Sequence, residues 1–116
     1  MQVMRIVANF PAPEPARART FYEDVLGLSL LMDHGWTMTY GSQTQIGVQV
    51  SFATEGGSNT AVPDLSIEVD DVDTAFERMA AAGFPIEYGP ADEPWGVRRF
   101  FVRDPFGKLI NILSHT

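Results

Sequence analysis

Apolar residues recur along the chain with two periods, one typical of helices and one typical of strands, and the same order of periods occurs twice. The first half opens with an apolar strand at about Val3–Phe10, and its helical stripe stops at Gly27. The second half opens with the strand Leu65–Val69, and its helical stripe stops at Gly83. Three strand-like runs follow each helix. The pattern therefore predicts an α+β fold in which one βαβββ unit occurs twice along the chain.

The two predicted helices begin differently but have similar apolar faces. Proline is tolerated in a first helical turn, which suits the proline-rich segment 11–15. Asp70, Asp71 and Asp73 suit the N-terminus of the second helix, because acidic groups there accept from unpaired N–H groups and oppose the helix dipole. The apolar stripes consist of Ala18, Phe21, Tyr22, Val25 and Leu26 in the first helix and of Val72, Ala75, Phe76, Met79 and Ala80 in the second.

Turn-forming residues separate the remaining strands and divide the chain near its middle. The predicted module bounds are about 1–53 and 64–116, with a linker over 54–63 whose glycines and polar residues favour flexibility. The further predicted strands are Leu28–Met32, Trp36–Tyr40 and Ile46–Phe52 in the first module and Pro85–Gly89, Val97–Arg103 and Lys108–Ser114 in the second.

The last strand of each module carries one amide among apolar residues. Side chains alternate between the two faces of a strand. Val48, Val50, Ile110 and Ile112 would therefore point at the helices, and Gln49 and Asn111 would point to the other face. A half-buried amide needs hydrogen-bond partners, which are either neighbouring strands and water or a ligand that the amides orient. Curved sheets with amides on their inner faces would enclose a cleft.

Composition narrows the functional classes. A net charge of −7 over 116 residues argues against nucleic acid and against anionic membrane surfaces as partners. Cysteine is absent, which excludes disulfides, thiolate metal sites and a cysteine nucleophile. No apolar run is long enough to span a bilayer, and the N-terminal residues do not resemble a signal peptide. We expect a cytoplasmic protein.

Three segments resemble the signatures of the vicinal oxygen chelate superfamily, which includes glyoxalase I, bleomycin-resistance proteins, fosfomycin-resistance enzymes and extradiol dioxygenases. The segment 21–28, FYEDVLGL, is similar to the end of that superfamily's first helix, and 68–73 and 104–110 are similar to signatures of its second module. The resemblance extends from about Arg5 to Leu113. It implies curved mixed sheets around a cleft and a homodimer whose modules pair either within or across chains. Because these motifs cap helices and build turns, they specify the fold rather than the chemistry.

The resemblance also implies where a metal would bind. The four ligand positions of metal-dependent members fall on Val7, Gln49, Asp64 and Asn111. Valine offers no donor atom, and neutral amides are weak ligands for transition metals compared with imidazole or carboxylate. A catalytic zinc site requires about three good protein ligands. We therefore expect a pocket of this family without its metal, and no other cofactor.

Other side chains are candidates for ligand contact, each with a structural alternative. Asp64 is either a pocket carboxylate or an exposed residue at a strand start. Trp95 lies in a loop and suits a pocket rim or an interface. One of Arg98 and Arg99 should face inward, where Asp64, Glu68 or a bound anion would pair with it. The aromatic candidates for a stacking wall, with core or dimer packing as the alternative, are Trp36, Tyr40 and Phe101.

Two functions of different classes remain open. The first is a metal-free protein that binds a small molecule, similar to bleomycin-resistance proteins, with an aromatic or cationic ligand that the acidic surface favours. The second is a metal-dependent lyase or dioxygenase with an altered ligand set. Neither histidine suggests catalysis, because His34 lies in a predicted turn and His115 is next to the C-terminus.

Overall fold

The computed structural model describes residues 1–43 and 49–116. The predicted strand Ile46–Phe52 therefore falls partly outside the described residues, and Val48 lies wholly outside them. No helix in the described part of the chain is long and apolar enough to cross a membrane. The strands are β1 Val3–Pro11, β2 Ser29–Asp33, β3 Thr37–Gly41, β4 Gln49–Ala53, β5 Leu65–Val69, β6 Ile86–Glu93, β7 Val97–Arg103 and β8 Leu109–His115, and the α-helix is α1 Val72–Ala81.

Contacts divide the chain into two compact units, which we call the first unit (residues 7–62) and the second unit (residues 1–6 and 63–116). Strand β1 contributes to both, because its first residues belong to the second unit. In the first unit the strand order is β2-β3-β4-β1. Strand β1 runs parallel to β4, with Ala8 opposite Val50, and the other neighbours are antiparallel.

The second unit repeats this arrangement with the order β5-β8-β7-β6. Strand β5 runs parallel to β8, and β8, β7 and β6 are antiparallel. Helix α1 begins at the N-cap Asp71, whose carboxylate accepts from the backbone N–H of Thr74. Its apolar face packs on one face of the sheet, in a core that contains Val69, Val72, Ala75, Phe100, Val102, Ile110 and Ile112. The α+β class is confirmed, and so is the predicted pair of units, each with a helical segment between its first and second strands.

The first predicted helix is wrong in form. The segment consists of a short 3-10 helix, Pro15–Ala18, and a single π-helical piece, Thr20–Val25. Of its apolar stripe, Tyr22 contacts the rings of Tyr40 and Phe52, whereas Phe21 is 60% and Val25 73% exposed. A short helix depends on packing for stability, and little of this stripe is packed. A cavity of about 470 Å³ beside it is lined by the proline-rich segment, Phe21, Tyr22 and Phe52.

The predicted linker is a hydrogen-bonded turn rather than an open connection. The N–H of Gly56 donates to the carbonyl of Thr60, and the N–H of Thr60 donates to the carbonyl of Gly57. Gly56 is tightly enclosed, since a Cβ built there would lie 2.1 Å from the carbonyl oxygen of Ala61. Because backbone bonds close this segment on itself, its glycines serve a compact turn rather than flexibility.

Strand β6 is longer than the predicted Pro85–Gly89 and contains two register shifts, one between Ile86 and Tyr88 and one between Tyr88 and Ala91. Gly89 lies between them with φ of 78°. A Cβ at this position would lie 2.5 Å from the carbonyl oxygen of Arg99, so only glycine permits this approach of β6 to β7. Shifts of this kind re-aim side chains, and here they determine which residues of β6 face away from α1.

Candidate ligand-binding site

The face of the second unit's sheet that lies opposite α1 carries most of the unit's buried polar side chains. We call it the polar face. On β7, Phe100 packs in the core under α1, so its neighbours Arg99 and Phe101 point to the polar face. On β8, Ile110 and Ile112 pack in the core, so Asn111 points to the polar face, opposite Phe101 in register. The same alternation places Ser66 and Glu68 of β5 there.

Arg99 is at the centre of this face and is only 3% exposed. Its guanidinium carbon lies 5.3 Å from the ring centroid of Tyr88, 4.9 Å from that of Trp95 and 4.7 Å from that of Phe101. The three rings thus surround the cation at distances where the ring quadrupole attracts it. The strand β7, the loop before it and the shifted strand β6 each supply one ring.

The charge of Arg99 is balanced by Glu93, which is 8% exposed. The guanidinium Nη2 lies 3.4 Å from Oε2 of Glu93, and the hydroxyl of Tyr88 donates to Oε1 of the same carboxylate. Burial lowers the pKa of the Arg99 guanidinium, and the charge of Glu93 opposes that effect. Arginine keeps its charge in proteins, so this face contains a buried ion pair within an aromatic cluster.

Asn111 is 7% exposed and lies beside this cluster. Its Nδ2 donates to Oγ of Ser66 over 3.1 Å. Its Oδ1 has no hydrogen-bond partner among the described residues. A buried acceptor without a donor costs about 1–3 kcal/mol, so this oxygen is a place where a ligand or water donor is favoured.

Glu68 forms a second charged group on the polar face. Its carboxylate pairs with Arg5 of β1 and with Nδ1 of His115, the latter at 2.9 Å. Burial raises the pKa of the Glu68 carboxyl, but the hydrogen bond from His115 and the charge of Arg5 outweigh burial, so the pKa is lowered from its ordinary value of 4.5. The network joins both termini of the chain to strand β5.

The lowered pKa of Glu68 predicts a pH-dependent contribution to stability. A carboxyl whose pKa is lower in the folded state stabilises the fold above its unfolded pKa, and this contribution is lost as pH falls through the folded pKa. We expect Glu68→Gln to reduce the free energy of unfolding by about 1 kcal/mol at pH 7. The difference from wild type should begin to shrink as pH falls below about 4.5 and should disappear only below the lowered pKa of Glu68.

Urea unfolding of both proteins across this pH range measures the effect. Glu87→Gln is the matched control, because Glu87 pairs with Arg103 on the exposed surface and should contribute less. A Glu68→Gln penalty that remains unchanged at pH 3 would contradict the assignment.

The structure brings together four of the residues singled out from the sequence: Trp95, Arg99, Phe101 and Asn111 lie in the second unit around one buried ion pair. Asp64 does not join them. It is exposed, its Oδ2 accepts from the N–H of Leu109, and its own N–H donates to the carbonyl of Leu109. Asp64 therefore extends the pairing of β5 with β8.

The other predicted residues belong to the first unit. Tyr40 is fully buried and packs with Tyr22 and Phe52 on the face that the helical segment covers, so it does not share a face with Gln49. Gln49 begins β4 opposite Gly41, on the face opposite Phe52. Trp36 stacks on His34 before β3. Val7 is buried in β1.

Sequence reasoning missed Tyr88 and Glu93. It expected the inward arginine to pair with Asp64, Glu68 or a bound anion, but Arg99 pairs with Glu93. Arg98 faces the other way and pairs with Asp73 of α1 and Asp92. The Gly-Pro pair at 89–90 was the available signal, because it marks an irregular strand that continues to Glu93.

A family model described as the Glyoxalase/Bleomycin resistance protein/Dioxygenase superfamily matches residues 6–112. The chain belongs to this superfamily. No curated protein matches the chain. This match confirms the resemblance of the sequence to the vicinal oxygen chelate superfamily, which includes glyoxalases, bleomycin-resistance proteins and dioxygenases.

Solved structures share the superfamily fold at low identity. A structure described as NAD-dependent benzaldehyde dehydrogenase from Legionella pneumophila is 18% identical, with a TM-score of 0.77, over 96% of this chain and 99% of that one. Methylmalonyl-CoA epimerase from Mycobacterium tuberculosis is 16% identical, with a TM-score of 0.67, over 98% and 87%. The Mn(II)-bound glyoxalase from Novosphingobium aromaticivorans is 19% identical, with a TM-score of 0.64, over 97% and 38%. At these identities the likeness shows the fold alone.

The residues that the resemblance implies as metal ligands do not fit a metal ion. Val7 has no donor atom, and the carboxylate of Asp64 accepts from the backbone of Leu109. Asn111 presents a neutral amide whose nitrogen is bonded to Ser66. Neutral amides are weak ligands for transition metals compared with imidazole or carboxylate. The described residues contain no group of three or more His, Cys, Asp and Glu side chains placed to hold a metal.

Proposed function

We propose that this protein binds a small, flat aromatic molecule on the polar face of the second unit, without a metal ion. The observation that carries the proposal is the convergence of Tyr88, Trp95 and Phe101 on one buried ion pair beside Asn111. Aromatic side chains bind flat ligands by offset stacking, and ligand sites combine apolar walls with a few polar groups. The second unit supplies both on one face.

The alternative, a metal-dependent lyase or dioxygenase, requires a different donor set. Such an enzyme needs a Lewis-acidic ion held by several strong ligands. The donor set described above lacks them, and nothing in the site favours this function. Elemental analysis of protein purified without added metal tests the choice. We expect less than stoichiometric metal, and stoichiometric zinc, nickel, manganese or iron would overturn the proposal.

Indole is a suitable probe for the binding function, because it is flat, aromatic and uncharged. We expect it to produce saturable NMR chemical-shift changes at Trp95, Phe101 and Asn111. Trp95→Ala should weaken binding about fivefold, since one aromatic contact contributes about 1 kcal/mol. Trp36→Ala is the matched control in the first unit and should leave the affinity unchanged. Equal loss in both variants, or none in Trp95→Ala, would contradict the proposal.

We also propose that the protein forms a homodimer through the first unit. Large apolar side chains between residues 21 and 31 remain exposed, and a stretch of this kind marks an interaction surface. A second copy of the chain would bury them by the hydrophobic effect. The exposed fractions are 60% for Phe21, 73% for Val25, 57% for Leu26 and 40% each for Leu30 and Leu31.

Val25→Lys tests the dimer with little effect on the fold of a single chain, because Val25 is the most exposed of these residues and a cation suits the C-terminal end of a helical segment. We expect sedimentation equilibrium to show at least a tenfold weaker dimer. Phe106→Lys is the matched control, since Phe106 is 85% exposed in a turn of the second unit. A dimer that Val25→Lys leaves intact, or that Phe106→Lys disrupts equally, would contradict the proposed surface.

A further inference from the structure

We infer that the polar face selects an uncharged ligand that donates a hydrogen bond to Oδ1 of Asn111, and that it disfavours cations. This inference rests on the proposed function and specifies the ligand class. It departs from the expectation that an acidic protein of this kind favours cationic ligands. Two independent observations support it: the carboxylates of Glu68 and Glu93 are already paired, and Oδ1 of Asn111 lacks a donor among the described residues.

The carboxylates on and beside the polar face are already engaged by groups of the chain itself. Glu93 accepts from Tyr88 and pairs with Arg99. Glu68 pairs with Arg5 and His115. A cationic ligand would have to displace a guanidinium to reach either carboxylate, and displacement of Arg99 would leave a buried charge without its carboxylate.

The rings of the aromatic cluster already contact a cation of the chain itself, the guanidinium of Arg99. The three rings surround Arg99, which occupies the position where a ligand's ammonium or guanidinium group would make cation–π contacts. A second cation next to Arg99 would be repelled by the first, because like charges interact strongly where water is excluded. The rings therefore offer a flat ligand apolar contact rather than a vacant cation site.

Asn111 supplies the directional contact. Its side chain is more than nine-tenths buried on this face, its Nδ2 is bonded to Ser66, and its Oδ1 lacks a donor among the described residues. A ligand N–H or O–H that reaches this oxygen satisfies it, whereas a ligand that offers only acceptors leaves it unsatisfied. A site with a buried polar group of this kind discriminates strongly against ligands that lack the complementary group.

Three probes separate these effects: indole, benzofuran, which has the same shape without the N–H, and the benzamidinium cation. For the wild-type protein we expect indole to bind about three- to tenfold more tightly than benzofuran, which is the value of one hydrogen bond. Benzamidinium should bind more weakly than either. NMR titration, with Asn111 and Trp95 as reporters, measures all three affinities.

Two variants test whether Asn111 is the residue that selects indole over benzofuran. Asn111→Leu removes the acceptor and should make indole and benzofuran equal. Asn111→Asp retains an acceptor of the same shape and adds a negative charge, so it should preserve the preference for indole and raise the affinity for benzamidinium. The second variant keeps the test decisive if the first does not fold.

The outcomes separate this inference from the proposed function. Equal binding of indole and benzofuran by the wild type, a preference for benzamidinium, or a preference for indole that persists in Asn111→Leu would overturn the inference and leave aromatic binding standing. Absence of binding by all three probes at the polar face would overturn the proposed function, and the inference with it.

Discussion

Replacing Glu93 by glutamine should lower the free energy of unfolding by about 3–5 kcal/mol, because it leaves the charge of Arg99 buried without its carboxylate. Arg99 is 3% exposed, so water does not replace the lost partner. Three aromatic rings still surround the guanidinium, but cation–π contacts contribute only about 0.5–2 kcal/mol and are present before and after the change. Urea or thermal unfolding at pH 7 measures the loss.

A double-mutant cycle with Arg99→Met distinguishes the cost of an unpaired charge from the loss of a specific contact. Replacing a whole buried ion pair by groups of similar volume is often close to neutral. We therefore expect the double variant Glu93→Gln with Arg99→Met to be within about 1–2 kcal/mol of wild type, and more stable than Glu93→Gln alone. If the two single losses simply add, Glu93 and Arg99 do not act as a pair. The exposed pair of Arg103 and Glu87 is the control, because its disruption should change stability little.

The elements of the second unit could be predicted from the sequence because each rests on local chemistry. The acidic residues around Asp71 cap α1, and the apolar alternation of Ile110 and Ile112 fixes which face of β8 meets the helix. From that alternation alone, Asn111 had to lie on the opposite face. The repeated order of periods predicted two similar units, and the structure adds that both contain the same parallel pairing, of β1 with β4 and of β5 with β8.

The partner of Arg99 could not be predicted in this way. Simple alternation places Ile86 and Tyr88 on the same face of β6, but a register shift between them sends Ile86 to the core and brings Tyr88 beside Phe101. A second shift, around Gly89, brings Glu93 within reach of Arg99. The backbone conformation at Gly89 is a property of the paired strands, so the periodicity of the sequence does not reveal it.

The prediction of an α-helix in the first unit is wrong for a different reason. The apolar spacing of this segment is as regular as that of α1, and spacing alone predicted a packed helix. Packing decides whether so short a segment becomes a regular α-helix, and Phe21 and Val25 remain mostly exposed. The sequence pattern is therefore consistent with a surface that a partner covers, which is the basis of the proposed dimer.

Phe100 and Phe101 permit a sharper test of the division between core and ligand-binding face. They are consecutive, they are 0% and 2% exposed, and they point to opposite faces of β7. Phe100 packs edge-on against Phe76 of α1, and Phe101 packs against Tyr88 and Arg99. Replacing either by alanine should lower the free energy of unfolding by about 3–5 kcal/mol, because both create a cavity.

The two variants should differ in ligand binding. Phe100→Ala leaves the polar face intact, so its folded fraction should bind indole with the wild-type affinity. Phe101→Ala removes one wall of the aromatic cluster, so its folded fraction should bind about tenfold more weakly, as expected for a buried aromatic contact at a binding site. Unfolding curves give the folded fraction, and NMR titration at low temperature gives the affinity. Because the two changes remove the same atoms from the same strand, a loss of binding common to both would reflect general loosening of the sheet, and only a loss confined to Phe101→Ala supports the polar face as the binding surface.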